Sequence, residues 1–300
     1  MKHVCFLTFY FFACVGALHA QKADLEPIPD RSTKLIGFKN RGDRTGNFIL
    51  EPKYEMASKF TEAARDLKLA AVKLQGKWGF INEKGATVIP FQYEGAKPFA
   101  KLGLQGPAYA AVKKEGKWGF TDGKGKAVIP HSFDSVRHFS YAGQFLVAVM
   151  QNNKWGYIND KGEEVIAPAY EESYEFNSTT SGNRALVKLD GRWGFIDEKG
   201  KLAIPCIYEK ANFFSEYLAA VRKEGKWGYI NGKGEEVIPA QFDKAGEFAR
   251  FYNNYTETRA IVIREGKAFF INTEGKEVAA SNSQETESLK YALQSYTAGW

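Results

Sequence analysis

Cysteine is scarce in this chain, with three in 300 residues. Cys5 and Cys14 lie in the apolar first twenty residues, so Cys206 alone would remain if that segment were removed. One cysteine forms no internal disulfide, and packing of the core must then supply the stability. No histidine pattern accompanies Cys206, so we expect a packed side chain rather than a nucleophile.

Apolar runs long enough to cross a membrane are also missing. The longest, Val4–Leu18, is shorter than the roughly 20 residues of a typical transmembrane helix. It follows a weakly basic start and precedes a small residue, Ala20, which is the pattern of a secretory signal cut before Gln21. We therefore expect residues 1–20 to be a signal peptide and the protein to be exported, to the periplasm or the cell surface. A membrane anchor and lipidation of Cys14 are the alternatives.

Neither positive nor negative residues are clustered in any one part of the sequence. The 41 Lys and Arg residues and 35 Asp and Glu residues are spread along the chain and leave a net charge of +6. A nucleic-acid-binding domain would carry a clustered basic patch. We therefore expect neither a nucleic-acid partner nor, after signal removal, a membrane span.

Residue patterns that perform chemistry are sparse as well. Beyond the first twenty residues there are two histidines, His131 and His138, without further ligands at metal-site spacing. Asp122 and the acids of similar turns stand singly among lysines, whereas Ca²⁺ needs several oxygens in one loop. No serine elbow, phosphate loop or zinc helix motif occurs. We therefore expect a non-enzymatic protein without catalytic residues, metal or cofactor.

What the sequence does contain is glycine, with 29 residues, and aromatic side chains at 15%. Both belong to an internal repeat, which is the first feature to seek in a sequence. Five Trp-Gly pairs follow one another at Trp78-Gly79, Trp118-Gly119, Trp155-Gly156, Trp193-Gly194 and Trp227-Gly228. Successive tryptophans are 40, 37, 38 and 34 residues apart. Degenerate copies, which lack the tryptophan, precede them at Ile36-Gly37-Phe38 and follow them at Ala268.

Each unit keeps one internal order. An apolar pair such as Ala71-Val72 leads through a turn to the Trp-Gly strand, and a glycine turn leads to a strand ending in Val88-Ile89-Pro90. An aromatic-acid pair such as Tyr93-Glu94 follows, and then a downstream Phe. Glycine turns between apolar runs predict β-hairpins, and proline ends a strand. One unit therefore predicts three or four short antiparallel strands, which can bury their apolar face only by stacking on another unit.

These residues closely resemble the WG-repeat family, in which Lys-Trp-Gly-Phe-Ile-Asp, a glycine turn, Val-Ile-Pro and Tyr-Asp recur. The resemblance covers residues 34–280, about seven units, and departs from the pattern at Ile36 and Ala268. It implies an all-β domain of tandem antiparallel meander units of about 40 residues in a bacterial protein, and it leaves the molecular role undefined. The size and number of units match propeller blades, so we expect a propeller-like ring, with an open β-superhelix as the alternative.

The two ends differ from the repeat. Residues 21–33 are polar and contain proline, which predicts a lead-in segment. In residues 281–300, Ser283 could cap a helix, and Leu289, Leu293 and Tyr296 share one helical face. We expect a short C-terminal helix that covers the end of the array.

Repeated and variable positions predict different roles. The five Trp-Gly pairs must satisfy the same packing in every copy, so we expect them to be structural. Segments 101–109, 138–145, 174–184 and 250–259 vary between units, and we expect them to gather on one side of the array and bind a partner. Their candidate contact residues are Tyr109, Tyr141, Tyr174, Tyr252 and Tyr255, with Phe251 beside the last two.

Three functional classes remain from the sequence. The first is an exported module that binds a protein or a cell-envelope polymer. The second is a glycan-active enzyme or a glycan-binding protein on the same scaffold, although a hydrolase needs a carboxylate pair that the repeat does not mark. The third is a passive structural component of the envelope. The identity of any partner is open.

Overall fold

Seven antiparallel sheets follow one another along the chain without exchanging strands. The computed structural model describes residues 24–43, 45–103, 106–250 and 258–297, which hold thirty strands and one helix. The predicted signal peptide, residues 1–20, lies outside these ranges. Within them there is no helix with the length and apolar character that crossing a bilayer requires.

The first four sheets contain the following strands. Sheet 1 has β1 (Leu25–Pro29), β2 (Ile36–Asn40) and β3 (Leu50–Tyr54). Sheet 2 has β4 (Met56–Ala57), β5 (Thr61–Ala64), β6 (Leu67–Leu74), β7 (Lys77–Asn82) and β8 (Thr87–Tyr93). Sheet 3 has β9 (Gly95–Ala96), β10 (Ala100–Lys101), β11 (Ala108–Lys114), β12 (Lys117–Thr121) and β13 (Ala127–Phe133). Sheet 4 has β14 (Ser135–Tyr141), β15 (Phe145–Gln151), β16 (Lys154–Asn159) and β17 (Glu164–Tyr170).

The remaining sheets complete the array. Sheet 5 has β18 (Glu172–Thr179), β19 (Gly182–Leu189), β20 (Arg192–Ile196) and β21 (Leu202–Tyr208). Sheet 6 has β22 (Lys210–Ala211), β23 (Leu218–Lys223), β24 (Lys226–Asn231) and β25 (Glu236–Phe242). Sheet 7 has β26 (Lys244–Ala245), β27 (Ala249–Arg250), β28 (Thr258–Arg264), β29 (Lys267–Asn272) and β30 (Glu277–Val278), and helix α1 (Ser283–Thr297) follows.

A complete sheet places four strand positions side by side in chain order. The first position is split into two short strands in sheets 2, 3 and 7, and the third position carries the Trp-Gly pair. Sheet 1 lacks the first position, and its strand β1 takes the second.

Residues 21–33 were expected to be a lead-in, but Leu25–Pro29 pairs with Ile36–Asn40 and Leu25 is buried. Prolines are tolerated in β1 because it is an edge strand.

Repeated polar residues close the turns. Asn82 Oδ1 accepts hydrogen bonds from the backbone N–H groups of Lys84 and Ala86, each at 3.0 Å. The same pair of bonds recurs at Asp122, Asn159, Asp197, Asn231 and Asn272. The acid of the aromatic-acid pair closes the turn between the next two strands, as Glu94 does by accepting from Gly116 N at 3.0 Å.

The glycine of the Trp-Gly pair lies beneath a bulge of the neighbouring strand. In sheet 4, Trp155 pairs with Tyr170 and Tyr157 with Ile166, so the fourth strand has two extra residues at this point. A Cβ at Gly156 would lie 2.4 Å from the Ile166 carbonyl oxygen, which leaves room for glycine alone. Backbone atoms stand equally close, at 2.5–2.8 Å, at Gly37, Gly79, Gly119, Gly194 and Gly228. Sheet 7 has Phe269 instead, where β30 pairs without a bulge.

The core lies between the sheets. Six hydrophobic clusters of the described residues each join two consecutive sheets, as Phe80 and Ile89 of sheet 2 do with Phe99 of sheet 3. Turn glycines set how closely one sheet approaches the next, because a Cβ at Gly125 of sheet 3 would lie 3.3 Å from Ile89 of sheet 2. None of these clusters joins sheet 7 to sheet 1. The result is a propeller-like stack of blades, in which the predicted all-β repeat architecture is confirmed.

Helix α1 covers the outer face of sheet 7 at β28 and β29. A buried ion pair fixes it there, with Arg259 Nη1 3.1 Å from Glu285 Oε2. The predicted C-terminal helix is confirmed, but Asn282 rather than Ser283 caps it, since Asn282 Oδ1 accepts from Glu285 N at 2.9 Å. The helix thus takes the place that an eighth sheet would occupy.

Candidate functional site

The connections between the first and second strands lie at one end of the stacked sheets. We call this surface the hairpin face and define it by residues 64–67, 101–103 with 106–109, 141–145, 179–182 and 215–218. Neighbouring sheets contact one another at this end: Lys101 Nζ lies 2.7 Å from Glu62 Oε1, in strand β5 of the preceding sheet. The predicted variable segments supply most of this surface, because they contain these connections.

A groove of about 700 Å³ opens on the hairpin face between sheets 2 and 3. Residues 62–65, Leu67, Lys101, residues 106–109 and the turn at residues 122–124 line it. Tyr109 is half-buried, and its ring centroid is 6.3 Å from that of Phe139 in sheet 4. Burial, with smaller contributions from nearby carboxylates, raises the pKa of Tyr109, so its hydroxyl remains a hydrogen-bond donor at neutral pH. The groove therefore offers mixed charge at its rim and an aromatic side chain on its wall.

An aromatic shelf adjoins the groove at Lys101. It consists of Leu102, Gly103, Phe139, Tyr141 and Phe145 around a depression of about 480 Å³. Tyr141 is 63% exposed, and its ring centroid lies 5.1 Å from that of Phe145. The fold thus brings Tyr109 and Tyr141, two of the predicted contact residues, to adjoining parts of one surface.

Tyr174 lies elsewhere, at the boundary between sheets 5 and 6. The Arg137 guanidinium carbon is 4.0 Å from the centre of its ring, and the ring of Phe213 packs edge-on at 5.1 Å. We expected Tyr109 and Tyr174 to be exposed, but both are half-buried because the next sheet packs against their strands. Phe251, Tyr252 and Tyr255 lie outside the described residues.

Sequence reasoning missed two aromatic residues of the hairpin face, of which one is exposed and one half-buried. Tyr217 is 54% exposed and occupies the turn before β23, and Phe145 forms the inner side of the shelf. Neither belongs to a repeated motif. The available signal was their position, directly before the second strand of a unit.

The repeated tryptophans lie on the face of each sheet that meets the next sheet. Trp155 is 8% exposed, and Trp78, Trp118, Trp193 and Trp227 are half-buried against the clusters between sheets. The Arg137 guanidinium carbon lies 4.6 Å from the ring centre of Trp155. Their structural role and that of the paired glycines stay predictions that substitution can test.

Reactive groups do not converge among the described residues. No group of three His, Cys, Asp or Glu side chains there is arranged to hold a metal. His131 stacks on Tyr93 with ring centroids 6.2 Å apart, and burial lowers its pKa. Burial raises the pKa of the Cys206 thiol, which is the opposite of what a nucleophile requires.

Comparison with solved structures finds propeller-like β proteins. A eukaryotic initiation factor is 12% identical over 85% of this chain and 73% of its own, with a TM-score of 0.50, a similarity that concerns the fold alone. The dihydro-heme d1 dehydrogenase NirN is 12% identical over 85% and 66%, with a TM-score of 0.42. Hsv2p of Kluyveromyces lactis is 8% identical over 72% and 76%, with a TM-score of 0.39. Comparison with curated proteins finds no sequence match.

Comparison with protein families gives a direct result. The WG containing repeat matches six times in succession, at residues 43–78, 78–118, 118–155, 155–193, 193–227 and 227–267. Together with the stacked β-meanders, this supports a repeat-based binding or scaffold module. The matches cover most of the chain, which therefore belongs to the WG containing repeat family.

Proposed function

We propose that this chain is an exported, non-enzymatic module that binds a protein partner on the hairpin face. The observation that carries the proposal is the continuity of the groove between sheets 2 and 3 with the aromatic shelf of sheets 3 and 4. The residues there differ from unit to unit, whereas the repeated residues pack between sheets or close turns. Repeat arrays commonly bind through such a broad variable surface.

The composition of the surface favours a protein over a glycan. Binding loops on rigid β scaffolds are enriched in Tyr, Ser, Gly and Asn, because tyrosine supplies large contact area at low entropic cost. The connection at residues 179–183 reads Thr-Thr-Ser-Gly-Asn, and that at 141–145 carries Tyr141 and Phe145. Charges of both signs, Glu62 with Arg65 and Lys101, edge the groove and suit a polypeptide. A glycan and a passive structural role are the outcomes against which the proposal is tested.

The repeated acids support a role without catalysis. Carboxylates of the aromatic-acid pairs, including Glu94 and Asp134, accept backbone hydrogen bonds from turns. Asp122 and Asp197 do the same within their own turns. A glycan hydrolase needs two free carboxylates at one site, whereas these repeated carboxylates accept the hydrogen bonds that close the hairpin turns.

Loss of the shelf aromatics should weaken binding without unfolding the protein. We expect the double variant Tyr141→Ala, Phe145→Ala to lower affinity for the captured partner by at least about 30-fold, as loss of a binding hot spot does. The partner is captured from envelope extract, identified by mass spectrometry and titrated in pure form. Its melting midpoint should stay within about 2 °C of the parent.

Tyr291→Ala provides the matched control, because Tyr291 is 74% exposed on α1, outside the hairpin face. It should leave affinity unchanged. Equal affinity for the shelf variant and the parent would contradict the proposal. Capture that survives protease treatment of the extract but not glycan digestion would assign the surface to a glycan.

Export has its own test. The apolar run Val4–Leu18 followed by Ala20 supports removal of residues 1–20, so the mature chain should begin at or near Gln21. N-terminal sequencing of protein recovered outside the cytoplasm checks this. Recovery of a membrane-embedded chain that retains Met1 would contradict export.

A further inference from the structure

The repeated tryptophan fills a slot on the face of its own sheet. In sheet 3, Trp118 pairs with Lys113 of β11, which in turn pairs with Gly95 of β9. The indole ring reaches across β11 to this first strand, because a Cβ on Gly95 would lie 3.0 Å from Trp118 Cη2, and Lys97 Nζ is 5.7 Å from the ring centre. The first-strand residue equivalent to Lys97 contacts the tryptophan in sheets 4 and 5 as well.

Sheet 7 keeps this slot but has alanine at the tryptophan position. Ala268 pairs with Ile263 of β28, and Ile263 pairs with Lys244 of β26, which is the register of sheet 3. Above these strands lies a depression of about 210 Å³. It is lined by residues 244–246, Ile261 and Ile263 of sheet 7 and by Ala292 and Ser295 of α1. The depression therefore corresponds to the slot that a tryptophan fills in sheet 3, and we call it the tryptophan slot of sheet 7.

The slot suits one aromatic ring system. Its walls are mainly apolar, with Ile261 and Ile263 below and Ala292 of α1 at one side. Its volume is smaller than the roughly 300–1,000 Å³ of pockets for drug-sized ligands, so a single bicyclic ring with a short substituent is the largest group that it accepts. The equivalent slot of sheet 3 holds an indole ring, which has this size and shape.

A cation stands at the rim of the slot. Among the described residues that line the slot, Lys244 carries the only charge, and it takes the position that Gly95 has in sheet 3. Unlike charges attract more strongly beside a protein surface than in bulk water. A ring that carries an acid group is therefore favoured over the ring alone.

We propose that the tryptophan slot of sheet 7 binds indole carboxylates, small ligands that consist of an indole ring and a short acid chain. The ring takes the place of the repeated tryptophan, between Ile263 and α1, and the carboxylate pairs with Lys244. The slot shares no residue with the hairpin face, so this site is independent of the proposed function.

Titration of the full chain with indole-3-acetate by isothermal calorimetry tests the proposal. We expect saturable binding at one site. Ala268→Trp should lower the affinity at least about 10-fold, because its own indole would fill the slot and two rings cannot share a space of this size. The same variant should melt at least as high as the parent, since the added ring covers apolar surface.

Lys244→Gln separates the charge from the ring. It should lower the affinity for indole-3-acetate by about 3-fold, as loss of an exposed ion pair does, and leave the affinity for indole unchanged. Lys244 is exposed, so the variant keeps the fold even if Ala268→Trp does not. Tyr291→Ala, on α1 but outside the slot, is the control and should bind like the parent.

A parent chain that binds neither indole-3-acetate nor indole would overturn the proposal. Binding that Ala268→Trp and Lys244→Gln both leave unchanged would place the ligand elsewhere and overturn it too. Binding that appears only in a Trp300→Ala protein would make the chain's own tryptophan, which is outside the described residues, the occupant of the slot, and would also contradict the proposal.

Discussion

Replacement of Trp155 by alanine should lower the free energy of unfolding by about 3–5 kcal/mol, the range for large buried aromatic side chains. Trp155 is 8% exposed and lies in the cluster between sheets 4 and 5 with Tyr157, Tyr170 and Phe176. Its removal would leave a cavity and would also deprive the Arg137 guanidinium of one of its two aromatic neighbours, the other being Tyr174. Thermal and urea melting of the purified protein measure the effect.

Trp227→Ala is the matched comparison, because Trp227 has the same repeat position but is half-buried. It should destabilise the protein by less than the Trp155 substitution. A Trp155→Ala protein that melts like the parent and loses affinity for a ligand would reverse the assignment, and would make the tryptophans a binding surface.

Alanine at Gly156 should also destabilise the protein, by about 1–3 kcal/mol, as overpacking of a rigid core does. The added Cβ would lie 2.4 Å from the Ile166 carbonyl oxygen and 2.7 Å from Pro168 N, so the bulge of β17 would have to move. Backbone atoms of a hydrogen-bonded strand cannot move away from the added methyl group as easily as the end of a flexible side chain can. The midpoint of urea unfolding reports the loss.

Gly246→Ala serves as the control. A Cβ there would lie 3.2 Å from the Ile261 carbonyl oxygen, so a shift of a few tenths of an ångström accommodates it. Its effect should be clearly smaller than that of Gly156→Ala. Equal unfolding midpoints for the Gly156→Ala protein and the parent would show that the bulge does not require glycine.

The repeated architecture was predictable because spacing and turn chemistry recur in every unit. The Trp-Gly strand, the glycine turn and the Val-Ile-Pro strand predicted hairpins, and these hairpins appear in the structure. The expectation that proline ends the strand was wrong, because β8 continues past Pro90, through a bulge in its pairing, to Tyr93. The terminal helix followed from the helical spacing of Leu289 and Leu293. Strand β1 was missed because a short polar segment with two prolines gives little strand signal.

Contacts between sheets were not predictable in the same way. The sequence indicated close approach at Gly156 but not that the approaching group is the bulged backbone of β17. Tyr174 was expected on the surface, and a side chain from another sheet, Arg137, covers its ring. Tyr217 was overlooked because it belongs to no repeated motif, although it stands directly before the second strand of its unit.

The central claim is that the hairpin face binds the partner while the repeated positions hold the stack. Hydrogen exchange of the backbone amides, compared between the free protein and its complex with the purified partner, tests this most directly. We expect slowed exchange at residues 141–145 and 215–218, and unchanged exchange along the outer strand β21 and in α1. Protection confined to β21, the other fourth strands or α1 would contradict the account.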